Sequence, residues 1–248
     1  MVELQDYAGG TTRERTHDLV EKILETTRLT PIPHLTCVQH SEEEISNILK
    51  RYLDKGISNI LALRGDTPKG DTQYDRSNDS FYFARDLVEF IRNFDNSTLD
   101  KKSKSFGVGV AGFPEGHPET PNRIKEMDHL KAKVDSGADY ICTQLFFDNH
   151  DFFDFRDRCE LAGINIPIIA GIMPVTSISG MQRMADLAAG SRFPAKLLKS
   201  IDRCNSDSDA VERVGIQYAT EQCSDLLNNG VDGCLLYTSP SPRDQRGS

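Results

Sequence analysis

The sequence predicts an α/β protein of the (β/α)8 TIM-barrel class, incomplete at both ends. Short, continuously apolar runs alternate with stretches of helical periodicity, and such runs suit a parallel sheet that is buried on both faces. Each apolar run ends in a polar tip, and the carboxyl ends of barrel strands are where such folds keep their chemistry. The chain has 248 residues, which is enough for one such barrel.

The elements follow one another as strand–helix units, which implies right-handed parallel crossovers. Strands are predicted from apolar runs over 33–37, 59–63, 106–113, 140–145 and 166–172. Helices are predicted over 41–55, 83–94, 123–136, 152–162, 181–189 and 210–229. Ser41 and Glu44 have the spacing of a capping box, and Asp148 is interpreted as a helix cap.

The two ends and one internal stretch depart from this pattern. The chain begins directly at a strand near residues 1–4, and residues 234–248 turn suddenly rich in Ser, Pro and Arg. We therefore expect an incomplete barrel over 1–233 and a non-native or disordered tail over 234–248. Residues 69–80 are polar and lack periodicity, which is typical of a binding lid or of a solvated insertion.

Composition excludes several classes of function. Hydrophobic residues make up 38% of the chain and charged residues 27%, as in soluble globular proteins. The net charge of -9 argues against nucleic acid or an anionic membrane as the main partner. No apolar run approaches the roughly 20 residues that span a bilayer, and no signal peptide is recognisable.

The six cysteines predict neither a disulfide framework nor a zinc site, because no Cys-x-x-Cys pair or ligand spacing occurs. We expect free thiols in a reducing, cytoplasmic compartment and no metal. Cys37 and Cys142 lie within apolar strands, where a free cysteine is usually a small core residue.

Four strand tips together resemble methylenetetrahydrofolate reductases, in that family's order and at its spacing. They are Pro-His-Leu-Thr-Cys (33–37), Ala-Leu-Arg-Gly-Asp (62–66), Pro-Glu-Gly-His-Pro-Glu (114–119) and Thr-Gln-Leu-Phe-Phe-Asp (143–148). The resemblance covers residues 8–233. It implies a non-covalent FAD and reduction of 5,10-methylenetetrahydrofolate to 5-methyltetrahydrofolate by NADH or NADPH. It also implies a role in supplying methionine synthesis and a homo-oligomer for the intact protein.

The Arg-Gly-Asp turn is the first part of the site that the resemblance implies. Arg64, Gly65 and Asp66 match the turn that holds FAD in the family, with the aspartate close to flavin and folate. A carboxylate near a flavin can tune its potential and can hydrogen-bond a pterin. Taken alone, the tripeptide is more often a strand-ending turn with a solvated aspartate and a surface arginine.

Further cofactor contacts are implied at five positions. His34 and His117 match family positions that contact FAD, and Ala8 also matches the family pattern. Lys133 matches a lysine that reaches the FAD phosphates, and Glu126 stands on the same helix face where the family usually has Asp. The alternative for Lys133 and Glu126 is an ordinary solvated helix face.

Aromatic and amide side chains complete the implied site. Phe83-Ala84 matches a Tyr-Ala pair of the family and Phe113 a position that is often Tyr, so either ring could stack on the flavin or adenine, with core packing as the alternative. Gln144 matches the glutamine that contacts folate and nicotinamide in turn, and an amide suits a pterin edge because it both donates and accepts. Asp66 and Gln144 are thus the predicted catalytic and substrate-binding residues.

Three departures from the family lower the activity that we expect of this chain. The glutamate that acts as general acid on the family's first strand has no counterpart, Gln5-Asp6-Tyr7 lacks the family's Thr, and the last strand is replaced by the tail. Loss of a general acid slows a reaction by about 10²–10⁴-fold. We expect a chain that is inactive with folate and, because of open sheet edges, poorly soluble.

The residues suggest two alternative functions. Flavin positions without the acid would also suit a non-catalytic paralogue that binds flavin or a partner. A phosphate-binding, aldolase-like barrel would need a lysine within a strand, and no predicted strand carries one. No Gly-x-Gly-x-x-Gly occurs, so a dinucleotide fold of the Rossmann type is not predicted.

Overall fold

A computed structural model describes residues 2–4, 10–66, 74–98, 105–117, 119–187 and 191–237. Strands and helices alternate along most of this range. The strands are β1 (Val2–Leu4), β2 (Pro31–Thr36), β3 (Asn59–Leu63), β4 (Gly107–Gly112), β5 (Tyr140–Thr143), β6 (Ile168–Ile172) and β7 (Gly233–Leu236). The helices are α1 (Gly10–Thr26), α2 (Glu42–Lys55), α3 (Ala84–Thr98), α4 (Arg123–Asp135), α5 (Asn149–Leu161), α6 (Ile178–Leu187), α7 (Ala195–Asp202) and α8 (Ser208–Asn228).

The strands form one sheet in the order β1-β2-β3-β4-β5-β6-β7. Pairing is parallel between β1 and β2, β2 and β3, β3 and β4, and β6 and β7. Sequential parallel strands joined by helices are the topology of a (β/α)8 barrel. The predicted fold class, an incomplete α/β barrel, is therefore confirmed.

The chain divides into two compact units, the first comprising Met1–Ala111 with His129–Ile141 and the second Gly112–Asp128 with Cys142–Ser248. In the first unit, α2 buries Ile45, Leu49 and Tyr52. In the second unit, buried side chains from the tip of β5, the segment after β6, and α6 to α8 form one cluster: Leu145, Phe147, Val175, Met184, Leu197, Ile201 and Val211. Each unit thus has apolar packing of its own behind its strand tips.

Local signals placed several elements correctly. Ser41 accepts from the Glu44 amide, and the Glu44 side chain accepts from the Ser41 amide, which confirms the capping box of α2. Asp148 accepts from the His150 amide at the start of α5, so the predicted cap is confirmed and the helix begins earlier than the predicted residue 152. Cys37 and Cys142 are buried, as predicted.

Two helices, α1 and α7, and one strand were not predicted. Helix α7 follows Pro194 and buries Leu197 and Ile201, four residues apart, on one face. Strand β7 corrects the prediction that the last strand is replaced by the tail, because Ile169 to Ile172 of β6 pair with Gly233 to Leu236. The tail boundary at residue 234 therefore falls inside a strand. The short apolar run was obscured by the Ser/Pro-rich residues that follow it.

Several predictions fall on residues outside the described ranges. Residues 69–73 of the polar segment, Ala8, and residues 238–248 of the predicted tail belong to this group, so predictions for them remain untested. Within the described part of the chain, no helix is long and apolar enough to cross a membrane.

Candidate functional site

The turn after β3 is held in a conformation that favours glycine. Gly65 has φ of 77°, and a Cβ there would lie 3.0 Å from Cβ of Thr36. Arg76 donates to the carbonyl oxygens of Gly65 at 3.0 Å and Arg64 at 3.4 Å. The close approach of Thr36 to Gly65 and the hydrogen bonds from Arg76 thus both fix the backbone of the predicted Arg-Gly-Asp turn. Asp66, the last residue of the turn, is exposed.

His34 lies within strand β2, next to β3 in the first unit. Its side chain is buried, with 4% of the residue exposed, and it stands opposite Leu61 in the parallel register. The carboxyl ends of β2 and β3 therefore meet at one edge of the sheet. His34 is one layer below that edge, while Arg64 and Asp66 continue beyond it.

The start of α3 presents an aromatic ring to solvent. Phe83 is 37% exposed, and its ring lies edge-on to Tyr82 with centroids 4.6 Å apart. The guanidinium of Arg85 lies 5.1 Å from the Phe83 ring centroid. The neighbouring Ala84 is buried. Phe83 therefore offers a partly exposed ring, whereas Ala84 packs inside the first unit.

Helix α4 contributes Lys133 and Glu126, one to each unit. Lys133 is half-buried, and its ammonium donates to the Ala111 carbonyl on β4 at 2.6 Å. Glu126 is only 7% exposed. Neither side chain belongs to the solvated helix face that was the alternative interpretation, because ordinary surface Lys and Glu residues remain exposed.

In the second unit, the loop after β4 is turned back on itself and fastened by two arginines. The Gly116 amide donates to the Phe113 carbonyl at 3.0 Å, and Gly116 has φ of 99°. The Pro114 carbonyl accepts from Arg123 at 3.0 Å and from Arg158 at 3.3 Å. This loop therefore has a defined conformation before any ligand binds.

The same loop orients His117. Its Nδ1 accepts the Glu119 amide at 3.1 Å, so in the neutral imidazole the proton lies on Nε2. The His117 ring packs edge-on against the half-buried Phe113 ring, with centroids 4.6 Å apart. Both predicted cofactor-binding residues of this loop thus support each other directly.

Gln144 follows β5 and has a fixed amide orientation. Its backbone N–H donates to the Gly112 carbonyl at 2.8 Å. Its side-chain Oε1 accepts the Leu145 amide at 2.9 Å, so the other end of the side chain is the Nε2 donor. The residue before it, Thr143, is fully buried and accepts the Gly171 amide through Oγ1 at 2.8 Å. These contacts anchor the tip of β5 to the tips of its neighbours.

Phe113, Gln144 and the loop between β4 and α4 line a small cleft in the second unit. Residues 113–116 form one wall, and Gln144, Leu145 and Ser191 form the other. The cleft has roughly 220 Å³ of space, part of it open to solvent. The tips of β4 and β5 thus border the same small cleft.

Three charged residues beside this cleft were not singled out from the sequence. Glu115 accepts from the backbone N–H of Arg192 at 2.8 Å and from its Nε at 3.1 Å. Arg192 Nη2 also pairs with Asp151 at 2.6 Å. The residues are 77 and 41 positions apart, so no local pattern could have found this network. The sequence indicates only one member of this network, Glu115, because it lies in the Pro-Glu-Gly-His-Pro-Glu motif (114–119).

Comparisons with known proteins agree with this arrangement of strand tips. The sequence model of the methylenetetrahydrofolate reductase family matches residues 1–241. The Escherichia coli 5,10-methylenetetrahydrofolate reductase is 36% identical over 231 residues, which cover 93% of this chain and 73% of that protein. The chain belongs to the methylenetetrahydrofolate reductase family.

Eukaryotic members of the family are longer than this chain. The Arabidopsis thaliana methylenetetrahydrofolate reductase (NADH) 1 is 37% identical over 240 residues, covering 93% of this chain and 39% of that protein. The Schizosaccharomyces pombe methylenetetrahydrofolate reductase 1 is 37% identical over 231 residues, covering 93% of this chain and 37% of that protein. The chain thus spans about two fifths of the length of these relatives.

Among solved structures, a Clostridium thermocellum protein described as binding two copies of 5-methyl-5,6,7,8-tetrahydrofolic acid is similar, with a TM-score of 0.59. It is 14% identical, and the match covers 92% of this chain and 73% of that one. At this identity the likeness supports the fold of the reductase family and not a shared ligand.

The described residues of this family member contain no group of three or more His, Cys, Asp or Glu side chains that could hold a metal ion. Asp148 acts structurally at the start of α5. Burial works against its ionisation, but the amide and ring of His150 hold the pKa of Asp148 below its usual value. Asp148 is therefore a helix cap, as the sequence predicted.

Proposed function

We propose that the intact protein reduces 5,10-methylenetetrahydrofolate to 5-methyltetrahydrofolate with FAD as cofactor and NADH or NADPH as hydride donor, and so supplies methionine synthesis. Two observations support this proposal: the chain belongs to the reductase family, and polar residues lie at the carboxyl ends of its parallel strands. In parallel α/β folds that edge is where ligands bind. We also propose a cytoplasmic homo-oligomer for the intact protein.

The side chains in the first unit fit the chemistry of a bound flavin dinucleotide. An exposed Phe83 ring offers a stacking surface, and Lys133 offers an ammonium for a phosphate. Arg64 and Asp66 follow a turn whose backbone is fixed by Arg76. Bound FAD would relay a hydride from the nicotinamide to the folate.

The side chains in the second unit fit the same cofactor and its substrates. His117 carries its proton on Nε2 when neutral, and Nε2 is therefore a donor suited to a flavin or phosphate oxygen. Gln144 lines the cleft with its Nε2 donor, since its Oε1 is engaged by Leu145. These residues bind and orient ligands, and Gln144 would be shared by folate and nicotinamide.

We propose Asp66 as the carboxylate that faces the reacting rings. Its exposure leaves the carboxylate able to accept from pterin N–H groups. Glu126, Phe113, His34 and Ala84 complete the proposed cofactor-binding set, with Ala8 outside the described residues. The expectation that this chain is inactive with folate remains a prediction.

The test is the absorbance spectrum of the purified protein under anaerobic conditions. A flavin band that bleaches on adding NADH or NADPH establishes the first half-reaction and identifies the donor. Return of the band on adding methylenetetrahydrofolate establishes the second half-reaction. A bleached flavin that folate does not reoxidise supports the expected loss of the general acid, whereas a folded protein without flavin refutes the proposed function.

Asp66→Asn provides the matched test of residue roles, with Asp79→Asn as an aspartate control in the same unit. If Asp66 faces the flavin, its replacement should change the flavin potential and slow reoxidation by folate. Asp79 instead accepts the Gln39 amide and the Tyr74 hydroxyl, so its replacement should leave the potential unchanged. Equal flavin potentials in wild type and both variants would contradict the role of Asp66.

A further inference from the structure

The two carboxylate oxygens of Glu115 differ in their hydrogen bonding. Oε1 accepts two hydrogen bonds from Arg192, at 2.8 and 3.1 Å. Oε2 is buried and has no hydrogen-bond partner among the residues that the structure describes. Only 9% of the side chain is exposed, so bulk water reaches it poorly. A buried carboxylate oxygen that lacks a donor is unfavourable, which means that a donor should be supplied from elsewhere.

The position of Glu115 indicates where that donor comes from. Glu115 lines the cleft between the tips of β4 and β5, together with Gln144. The Arg192 ion pair and the two arginines on the Pro114 carbonyl hold this part of the loop in place. The carboxylate is therefore preorganised at the cleft, as a group that recognises a ligand would be.

The two polar groups of the cleft have complementary characters. Glu115 Oε2 can only accept when the carboxylate is ionised, while Gln144 presents its Nε2 donor because Oε1 is taken by the Leu145 amide at 2.9 Å. A ligand edge that satisfies both must combine an N–H donor with a carbonyl acceptor. A primary carboxamide and the 2-amino-4-oxo edge of a pterin both have this pattern.

We propose that Glu115 is a ligand-binding residue that, with Gln144, recognises an amide-type edge of a substrate. This inference rests on the proposed function, which supplies two sources of such an edge: the nicotinamide carboxamide and the pterin ring. Glu115 accepts a hydrogen bond from the N–H donor of the edge, and Gln144 donates one to its carbonyl oxygen. Arg192 is a positioning residue, because it acts through Glu115.

The test compares pairs of ligands that differ only in one exocyclic amino donor, which methyl replaces; the folate analogue keeps its N3–H donor. NAD⁺ is compared with its 3-acetylpyridine analogue, which keeps the carbonyl and replaces the amino group by methyl. Folic acid is compared with its 2-desamino-2-methyl analogue. Affinities are measured by calorimetric titration of the oxidised protein, which requires neither turnover nor flavin reduction. A flavin spectrum that refutes the proposed function is therefore distinguishable from a titration that refutes the role of Glu115.

Three variants separate recognition from loop support. Glu115→Gln is nearly isosteric and can keep an acceptor on Arg192 while placing an N–H₂ where Oε2 stood. Arg192→Gln breaks the same ion pair but leaves the carboxylate as an acceptor. Glu119→Gln changes an exposed carboxylate of the same loop and is the control. Melting temperatures of all three are measured to confirm that each is folded.

In the wild type, the natural ligand of at least one pair should bind about 10- to 100-fold more tightly than its analogue, the range for a hydrogen bond to a charged group. Glu115→Gln should remove that preference, while Glu119→Gln retains it and Arg192→Gln reduces it only in part. Loss confined to the NAD⁺ pair identifies the nicotinamide as the source, and loss confined to the folate pair identifies the pterin. Unchanged ratios in Glu115→Gln, or equal losses in Glu115→Gln and Arg192→Gln, would overturn the proposal.

Discussion

Replacing Arg92 by methionine should destabilise the first unit strongly, although Arg92 belongs to no recognised motif. Its guanidinium donates twice to the Gly137 carbonyl, at 2.9 and 2.7 Å, and to the Phe106 carbonyl at 2.6 Å. It also pairs with Asp95 at 3.3 Å and with Asp139. One side chain thus connects α3, the entry to β4 and the turn between α4 and β5.

The magnitude follows from what the substitution leaves unpaired. Each hydrogen bond contributes about 0.5–1.5 kcal/mol net, and a buried group left without its partner costs about 1–3 kcal/mol. Asp95 is only 5% exposed and would keep the Phe106 amide, at 3.2 Å, as its partner. The sum agrees with the roughly 3–5 kcal/mol seen when a buried ion pair loses one member. Methionine retains most of the apolar stem, so lost packing contributes little.

The assay is urea unfolding of the purified chain followed by circular dichroism, with Arg85→Met as the control. Arg85 is half-exposed and contacts Asp86 at 3.3 Å, so its loss should cost less than about 1 kcal/mol. Burial already raises the pKa of Asp95, and removing Arg92 should raise it further. A raised carboxyl pKa makes the folded state bind more protons than the unfolded state, so the deficit of Arg92→Met should shrink as the pH falls. A deficit below 1 kcal/mol, or one that grows on acidification, would refute this reasoning.

Three other substitutions test separate features. Gly109→Ala would place a Cβ 2.5 Å from Cζ of Tyr140, and should cost about 1–3 kcal/mol in thermal unfolding, relieved in part by Tyr140→Leu. Asp148→Ala removes the α5 cap and should lower the free energy of unfolding by about 1 kcal/mol, whereas Asp148→Asn should cost less. Burial, and to a lesser degree Arg51, lowers the pKa of His17 to about 4 from 6.5, so stability should fall as the pH drops from 6.5 towards 4. His17→Gln should flatten that dependence, and an unchanged slope would contradict it.

The sequence predicted the strand–helix order well because each unit carries its own signals. Apolar runs marked the strands, and caps such as Ser41 and Asp148 marked helix starts. Helix α7 was missed although Leu197 and Ile201 have helical spacing, because the segment is only eight residues long. Strand β7 was missed because its four residues border a segment of foreign composition. Helix α1 was missed as well and spans 17 residues, so short length explains only α7 and β7.

The sequence predicted which residues form the candidate site, but it predicted few of the contacts that these residues make. His34 lies just before the end of β2, whereas Asp66 and Gln144 lie just beyond the ends of β3 and β5, as the tip pattern predicted. The burial of Glu126 was not predictable, since alternating charge on a helix usually indicates a solvated face. The partners of Glu115 could not be predicted either, because long-range ion pairs leave no periodic trace in one sequence.

The placement of the recognised motif depends on residues outside it. The loop that carries His117 and Glu115 is fixed by Arg123 and Arg158 on the Pro114 carbonyl and by Arg192 on Glu115. A substitution of these arginines would keep every motif residue and still move the groups that bind ligands. The same reasoning separates recognition from support at Glu115, because one of its oxygens is fixed by the scaffold and the other is left for a ligand. Within a family defined by its strand tips, differences in ligand preference can therefore arise from these supporting arginines as well as from the tips themselves.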